Sequence, residues 1–457
     1  MAEILPFIGT RYNSQLIGDL SKVIAPPYDV ITPEMQEALY ERHPNNIVRV
    51  ELTKNEEDDS FADKYARAAN YLRTWRSDGV LIEDNQPSIY LYEQEFALPT
   101  GEVKKRRGFY ALVKLEDYAS GGIKAHEQTF AGPKADRLKL LRATRTNVSP
   151  IFVIYNDPDG ATAALLNERF DNSKPWEEVV DDDGVTHRLW VVSKKEFILQ
   201  LRELMKSRNL FIADGHHRYE TALAYRNEMR QETGKCDGKQ PFDYMMMYLT
   251  HAEQDGLVIL PTHRVLTKAI MAEVDLKEAL DELKESFEIT EDRVNLKKSA
   301  EEGKRLTEKV EKLGKSRPSF GMVDANGKVR YLRLKKNVDP ADLIESDDVP
   351  APVRKLDVVL LHNYIINRVM IGNPEFELAD DECLYVRDAK RVLDLLADKK
   401  GLLAFIMNAT PMEQVLEIVS AGYKMPHKST YFHPKLASGL VLRNMEIEFQ
   451  KKKRTSC

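Results

Sequence analysis

The period of apolar and polar positions changes several times along the chain, and each change marks an element. Phe61, Tyr65, Ala68, Leu72 and Trp75 step by four and three residues, the apolar stripe of a helix that Ser77-Asp78-Gly79 ends. Before it, Val23–Ile31 reads as strand and loop. Thr32-Pro33-Glu34 then opens a helix with threonine as cap and proline at its first position. Ile89–Leu98 and Arg107–Leu115 flank Pro99-Thr100-Gly101, which predicts a hairpin continuing into a sheet. A loop over Ser120–Pro133 leads into a basic helix from Lys134 to about Arg145, followed by strands at Ile151–Tyr155 and Arg188–Val192.

The apolar run Leu210–Ala213 is short enough for a buried strand, and Asp214-Gly215-His216-His217-Arg218 carries it into a helix over Tyr219–Gln231. Strands follow at Asp243–Leu249, where Met245-Met246-Met247 reads as core, and at Leu257–Leu260. Beyond Thr267 the texture turns to charged helices, Glu273–Phe287 and Leu296–Leu313, and a hairpin over Asp324-Ala325-Asn326-Gly327. Val358, Leu361, Ile365 and Val369 mark a further helix face. Leu402–Met407 and Pro411–Ser420 read as strand, turn and helix, and Gly439–Leu442 is the last element before the basic tail Lys451–Arg454. The mixture is an α+β (mixed α/β) fold. Four segments are expected, 1–85, 86–200, 201–266 and 267–457, the second a β-rich stretch with a basic helix and the last an α/β region.

Composition narrows the classes. The 457 residues include 42% hydrophobic and 31% charged positions, enough for sizeable cores and unlike a disordered polymer. Lys+Arg 67 against Asp+Glu 73 leaves a net charge of −6, which argues against nucleic acid as a partner but not against one local phosphate pocket. Cys236, Cys383 and Cys457 stand far apart, without zinc-ligand or disulfide-frame spacing. No apolar run approaches the roughly 20 residues that span a bilayer, and the first residues are not a signal peptide, so a cytoplasmic protein with no membrane partner is expected.

The strongest chemical signal is Ala213–Arg218. A strand turning tightly through glycine into a helix leaves backbone amides facing the turn, and the positive helix end favours an anion there. Gly215 permits close backbone approach, Arg218 offers a fork for phosphate oxygens, and His216 and His217 can donate or move a proton. A second cluster runs from Lys124 through His126, Glu127 and Thr129 to Lys134, Arg137 and Arg145, cations that share a helix face. A carboxylate beside a histidine, Glu127 next to His126, suits general-base work or magnesium binding. A third cluster, Met425–Lys435, interleaves Lys428, Ser429 and Thr430 with aromatics and prolines, as in a rigid polar loop. Ala25-Pro26-Pro27-Tyr28-Asp29 is a rigid turn that offers Tyr28 and Asp29 to a cleft. Gly314-Lys315-Ser316 imitates the end of a P-loop, but Lys309 stands where the first glycine belongs.

These strings together resemble the family called domain of unknown function 1015: Pro26–Val30, His126-Glu127 with Lys134 and Arg137, Arg145–Phe152, Ala213–Glu220, Pro261-Thr262-His263-Arg264 and Pro426–Leu440 occur in order over almost the whole chain. The Asp-Gly-His-x-Arg core is similar to the ligand motif of the ParB/sulfiredoxin-like superfamily, which includes partition CTPases, sulfiredoxins and free-serine kinases. His216 stands where sulfiredoxins have cysteine, and no basic DNA-binding domain follows, so the free-serine kinases fit best. The resemblance implies a ParB/sulfiredoxin-like core and a phosphotransferase acting on serine or O-phosphoserine with ADP or ATP and Mg2+. Gly215, His216, His217, Arg218, Lys134 and Arg137 would hold the nucleotide. Glu127 would act as base, with His126, His216 and Asp214 as further catalytic groups and Asp214 and Glu127 as metal ligands. Tyr28, Asp29, Lys428, Ser429 and Thr430 would hold the small-molecule substrate. A nucleotide-gated ParB-like binding or scaffold protein, and a hydrolase of phosphoserine, are the alternatives.

Overall fold

The structure, a computed structural model, describes residues 2–56, 63–125, 127, 131–272, 274–344, 346, 348–376, 378, 379, 381–426, 428–446 and 448. Phe61, His126, His427 and the basic tail lie outside them. The chain divides into two compact units, Met1–Val258 with Pro434–Cys457, and Ile259–His433.

The first unit is built on a nine-stranded mixed sheet. Its strands run in the order Ile123–Lys124, Leu210–Asp214, Ile151–Tyr155, Tyr244–His251, Val103–Lys114, Ile89–Ala97, Thr186–Val192 and Glu177–Val180, and Ile4–Leu5 pairs on Val103–Lys114. Strands from the segments 1–85, 86–200 and 201–266 therefore share one sheet. The hairpin at Pro99–Gly101 forms as its turn chemistry predicts, with Tyr90 opposite Tyr110 and Ala97 opposite Val103. Leu210–Asp214 lies antiparallel to Ile151–Tyr155 and parallel to Ile123–Lys124, which puts the end of this strand at the rim of the sheet.

Side-chain alternation gives the sheet two different faces. Leu91, Phe109, Ile151, Val153, Met245 and Met247 point into the main core, where helices Ala161–Asn172 and Lys195–Met205 bring Leu166, Phe170, Phe197 and Leu201. The methionine run is strand core, as read. The opposite face carries Tyr92, Tyr110, Phe152 and Tyr248, with ring centroids 5.3–5.6 Å apart around Tyr92 and Tyr248, and the fully buried Arg106 over the Phe152 ring at 4.6 Å. The returning segment crosses that face: Arg106 Nη2 donates to the Pro434 carbonyl at 2.5 Å, and Gln94 Nε2 to the Lys435 carbonyl at 3.0 Å. Beyond it, Arg443 is completely buried, donating to the carbonyls of Tyr244 and Pro241 and to Glu448. Arg443→Met strands three acceptors at once and is expected to cost about 3–5 kcal/mol, read from the urea midpoint.

Helix Pro33–Arg42 begins as predicted, with the Thr32 hydroxyl accepting from the Met35 amide at 3.3 Å. Helix Asp63–Ser77 buries Tyr65, Ala68, Leu72 and Trp75. Val23–Ile31, expected as strand and loop, forms the loop but not the strand. Pro26 and Pro27 supply no amide to a ladder, so only Ala25 bridges, to Ser438, and Tyr28–Val30 closes a 3-10 turn. The basic helix starts three residues early, at Ala131, because Pro133 is tolerated in a first turn.

The second unit holds a six-stranded antiparallel sheet in the order Phe287–Arg293, Lys328–Leu334, Ser319–Asp324, Leu403–Ile406, His263–Leu266, Cys383–Val386. Helices Ser299–Gly314 and Ala389–Ala397 bury Leu306, Val310, Val392 and Leu396 against it. Gly314 ends the first of these helices and does not open a phosphate loop. The predicted face Val358, Leu361, Ile365, Val369 is buried, but Leu360–Ile371 winds as a π-helix and not with the 3.6-residue period. Among the described residues, no helix is long and apolar enough to cross a membrane.

Candidate functional site

The site grows from the end of strand Leu210–Asp214. Gly215 takes φ 91 and ψ 30, a left-handed conformation that glycine alone adopts without cost, and so turns the strand into the 18-residue helix His216–Thr233. The first amides of any helix have no carbonyl one turn back, and here the turn offers them no capping side chain, since position 215 is glycine. A methyl at 215 would sit 2.9 Å from Arg218 Nε. Gly215→Ala therefore meets both an unfavourable φ and a pinned guanidinium, and is expected to cost about 1–2 kcal/mol or more in a denaturation series.

Arg218 is buried and folds back over the turn, donating to the Pro150 carbonyl and, through Nη2 at 2.7 Å, to Asp214 Oδ2. Its Nε has no acceptor among the described residues. Asp214 Oδ1 accepts from Lys435 Nζ, so both carboxylate oxygens hold protein cations. Burial alone would push this carboxyl up, but Lys435 and Arg218 outweigh it and hold it far below the usual carboxylate range. That pairing matters for the expected magnesium. A carboxylate bridging two cations is a poor metal ligand, and among the described residues no three His, Cys, Asp or Glu side chains converge as a metal would need. Asp214 fits a strut that fixes Arg218, not a magnesium ligand.

His216 is almost wholly buried, with Nδ1 3.5 Å from Glu127 Oε2 on the preceding loop. The structure thus joins the first two sequence clusters through one imidazole–carboxylate pair. His126, the other half of the expected pair, lies outside the described residues. His217 is half-buried, and desolvation lowers its pKa below the ordinary histidine value. Lys134, on the basic helix, pairs with Glu220 at 2.8 Å, and Thr221 Oγ1 lies 3.4 Å from the Lys134 carbonyl. Arg137 is buried, its Nε 3.0 Å from Asp136 and its Nη1 donating to the Glu51 carbonyl at 2.7 Å. Its guanidinium stacks 4.2 Å from the Tyr28 ring centroid. Burial pushes the Tyr28 hydroxyl up to about 12, while Arg218 and Arg137 pull it the other way. Asp29 is exposed beside it and raises both Tyr28 and Arg218 through its charge.

Gly215, His216, His217, Arg218, Asp214, Glu127, Lys134, Arg137, Tyr28 and Asp29 all belong to the first unit. Lys428, Ser429 and Thr430 belong to the second. There Lys428 takes a left-handed φ of 54 and its carbonyl accepts from Arg264, while the Ser429 hydroxyl donates to Pro426 at 2.7 Å and its carbonyl accepts from Thr410. The Ser429 hydroxyl is thus engaged in holding its own loop.

Three participants escaped the sequence reading. Lys435 stands at the end of the third cluster and inside the family string Pro426–Leu440, but its pairing with a residue 221 positions away has no local signature. Ser149 stands inside the family string Arg145–Phe152 with no role read for it, and Glu51, which its hydroxyl reaches at 2.8 Å across 98 positions, carries no motif.

The family described as Protein of unknown function (DUF1015) matches residues 4–359, well over half the chain. The chain belongs to this family. No curated protein matches it. Among solved structures, a free serine kinase in complex with AMP is similar at 14% identity and TM-score 0.31, covering 71% of this chain and 86% of that one. A conserved hypothetical protein from Pyrococcus furiosus aligns at 13% identity and TM-score 0.33, over 74% and 96% of the two chains. SbnI from Staphylococcus aureus, truncated at its C-terminus, aligns at 10% and 0.33, over 76% and 94%. The family match covers the strand–glycine–helix junction, Glu127 and the basic helix, and ends inside the second unit.

Proposed function

We propose that the protein is a small-molecule phosphotransferase that moves a phosphoryl group between an adenine nucleotide, ADP or ATP, and serine, on a ParB/sulfiredoxin-like core. The observation that carries this reading is the junction at Gly215: a strand end, a left-handed glycine and a long helix bring first-turn amides, His216 with Glu127, and His217 together. Oriented amides and a helix dipole suit phosphate oxygens, and a carboxylate against a buried imidazole suits removal of a hydroxyl proton.

In the forward direction the serine hydroxyl oxygen forms a bond to the terminal phosphorus, and the bond from that phosphorus to the bridging oxygen of the nucleotide breaks. The leaving nucleotide keeps the electron pair, and the hydroxyl proton passes to Glu127, whose charge is shared with His216. Lys134, about one-third exposed, held by Glu220 and close enough to act on His217 through its charge, would supply a cation to the transferred group. Arg218, held by Asp214 and Pro150, fixes the turn in place. Magnesium accompanies nucleotide phosphates in such reactions, but no residue here is assigned to it.

Incubation of the purified chain with ADP or ATP, magnesium and a panel of amino acids and phosphoamino acids tests the reading by mass spectrometry. O-phosphoserine appearing from serine, or serine and the higher nucleotide appearing from O-phosphoserine, is the expected result. Nucleotide binding with no phosphoryl transfer to any amino acid would replace this reading with a nucleotide-gated binding protein.

A further inference from the structure

A groove of about 460 Å³ opens in the first unit where strand Thr186–Val192 ends, and four strands of the sheet stand between that strand and Leu210–Asp214. Trp176 and Trp190, two of the three tryptophans in the chain, line it together with Arg169, Lys174 and Lys194. No carboxylate lines it among the described residues, although the whole chain carries a net charge of −6. The three cations are also uncommitted. Lys174 and Lys194 are exposed, Arg169 is partly buried against the Phe197 ring at 5.7 Å, and none of them has an ion-pair partner among the described residues.

The helix ends at the groove keep it positive. Lys194 precedes the 11-residue helix Lys195–Met205 and gives its first amides no side-chain cap, and Glu196 in that first turn does not line the groove. At the opposing end of helix Ala161–Asn172 the carbonyls are already taken: Glu168 accepts from Asn172 Nδ2, Arg169 from Ser173 Oγ, and Ser173 from Trp190 Nε1. The aromatic wall is accessible. Arg11, its charge balanced by Asp84, covers one face of the Trp176 indole at 3.5 Å from the centroid, yet Trp176 is 44% exposed.

Cations gathered without an acid repel one another, and an indole left in water forgoes the gain of burial. A ligand that joins a flat ring to a phosphate relieves both. We propose that this groove binds a small phosphate monoester carrying a flat ring, a nucleoside monophosphate, with the ring stacked on Trp176 and the phosphate dianion among Arg169, Lys174 and Lys194. The volume suits a ligand of that size. This site is separate from the Gly215 junction, and it does not rest on phosphoryl transfer there.

Tryptophan emission of the intact chain reads the test, since Trp75, the third tryptophan, is buried in helix Asp63–Ser77. The probes are AMP, adenosine and inorganic phosphate. AMP is expected to change the emission saturably, and adenosine and phosphate to bind at least about tenfold more weakly, because each lacks one half of the ligand. Two exposed charge pairs of ordinary strength together contribute about tenfold, so Lys174→Ala/Lys194→Ala is expected to weaken AMP by that factor. Both side chains are exposed, and an unchanged urea midpoint checks that the double variant is folded. No saturable change with AMP, adenosine or phosphate binding as tightly as AMP, or an AMP signal that the folded double variant leaves intact overturns the groove. The last of these is also what AMP bound at the Gly215 junction alone would give. Phosphoryl transfer reads that junction and not the groove, so either proposal can fall without the other.

Discussion

Glu127→Gln is expected to reduce phosphoryl transfer by about 10²- to 10⁴-fold, the usual contribution of a positioned general base, while leaving nucleotide binding intact. The reason is geometric. Oε2 of Glu127 lies 3.5 Å from Nδ1 of a histidine that is 2% exposed, close enough for the imidazole to orient the carboxylate. Glutamine keeps the size of the side chain and its contact with His216 but cannot accept the proton. Two measurements separate the effects: turnover by mass spectrometry, and ADP affinity by calorimetry. Turnover equal to wild type would remove Glu127 from the chemistry, and a parallel loss of both signals would make it a binding residue. A residual rate that no longer rises with pH is the further signature expected when an ionisable base has been replaced.

A large effect on stability is expected at Asp214. Asp214→Asn removes the carboxylate that Arg218, 7% exposed, and Lys435, with a side chain 13% exposed, both pair with. Breaking a buried pair from one side costs about 3–5 kcal/mol, since the stranded cations keep their desolvation penalty. The pH dependence follows from the depressed pKa. A carboxyl held below its unfolded value, about 3.9 for Asp, contributes stability that is fully present above that pH and is lost as pH falls through the folded value. Wild-type stability should therefore fall in acid below about pH 4, and that acid limb should be shallower in Asp214→Asn. Urea titrations from neutral pH downward provide the check. A variant with wild-type midpoint at neutral pH would show that Arg218 and Lys435 find other partners and that Asp214 is no strut.

Much of the local architecture was legible because it depends on neighbours in sequence. The stripe from Tyr65 to Trp75, the Thr32 cap and the Pro99–Gly101 hairpin are short-range arrangements, governed by side-chain period and turn chemistry. Gly215 belongs with them: a glycine between an apolar run and a helical pattern implies a left-handed turn, and φ 91 is what the chain adopts. Within Val23–Ile31 the loop and turn formed but the strand did not, because two prolines removed the amides it needs, and at Leu360–Ile371 the apolar stripe was right and the helical period was not.

By itself, the sequence determined the mixed α/β character, the family resemblance and the strand–glycine–helix junction, because each is carried by residues adjacent or a few positions apart. Tertiary structure alone decided that Lys435 would neutralise Asp214, that His216 would face Glu127 and that Glu51 would be buried beside Ser149. It also turned Arg218 from an open phosphate fork into a fixed support of the turn. The physical reason is range. Backbone conformation answers to nearest neighbours, whereas the charge state and partners of a side chain depend on whatever the sheet order brings against it.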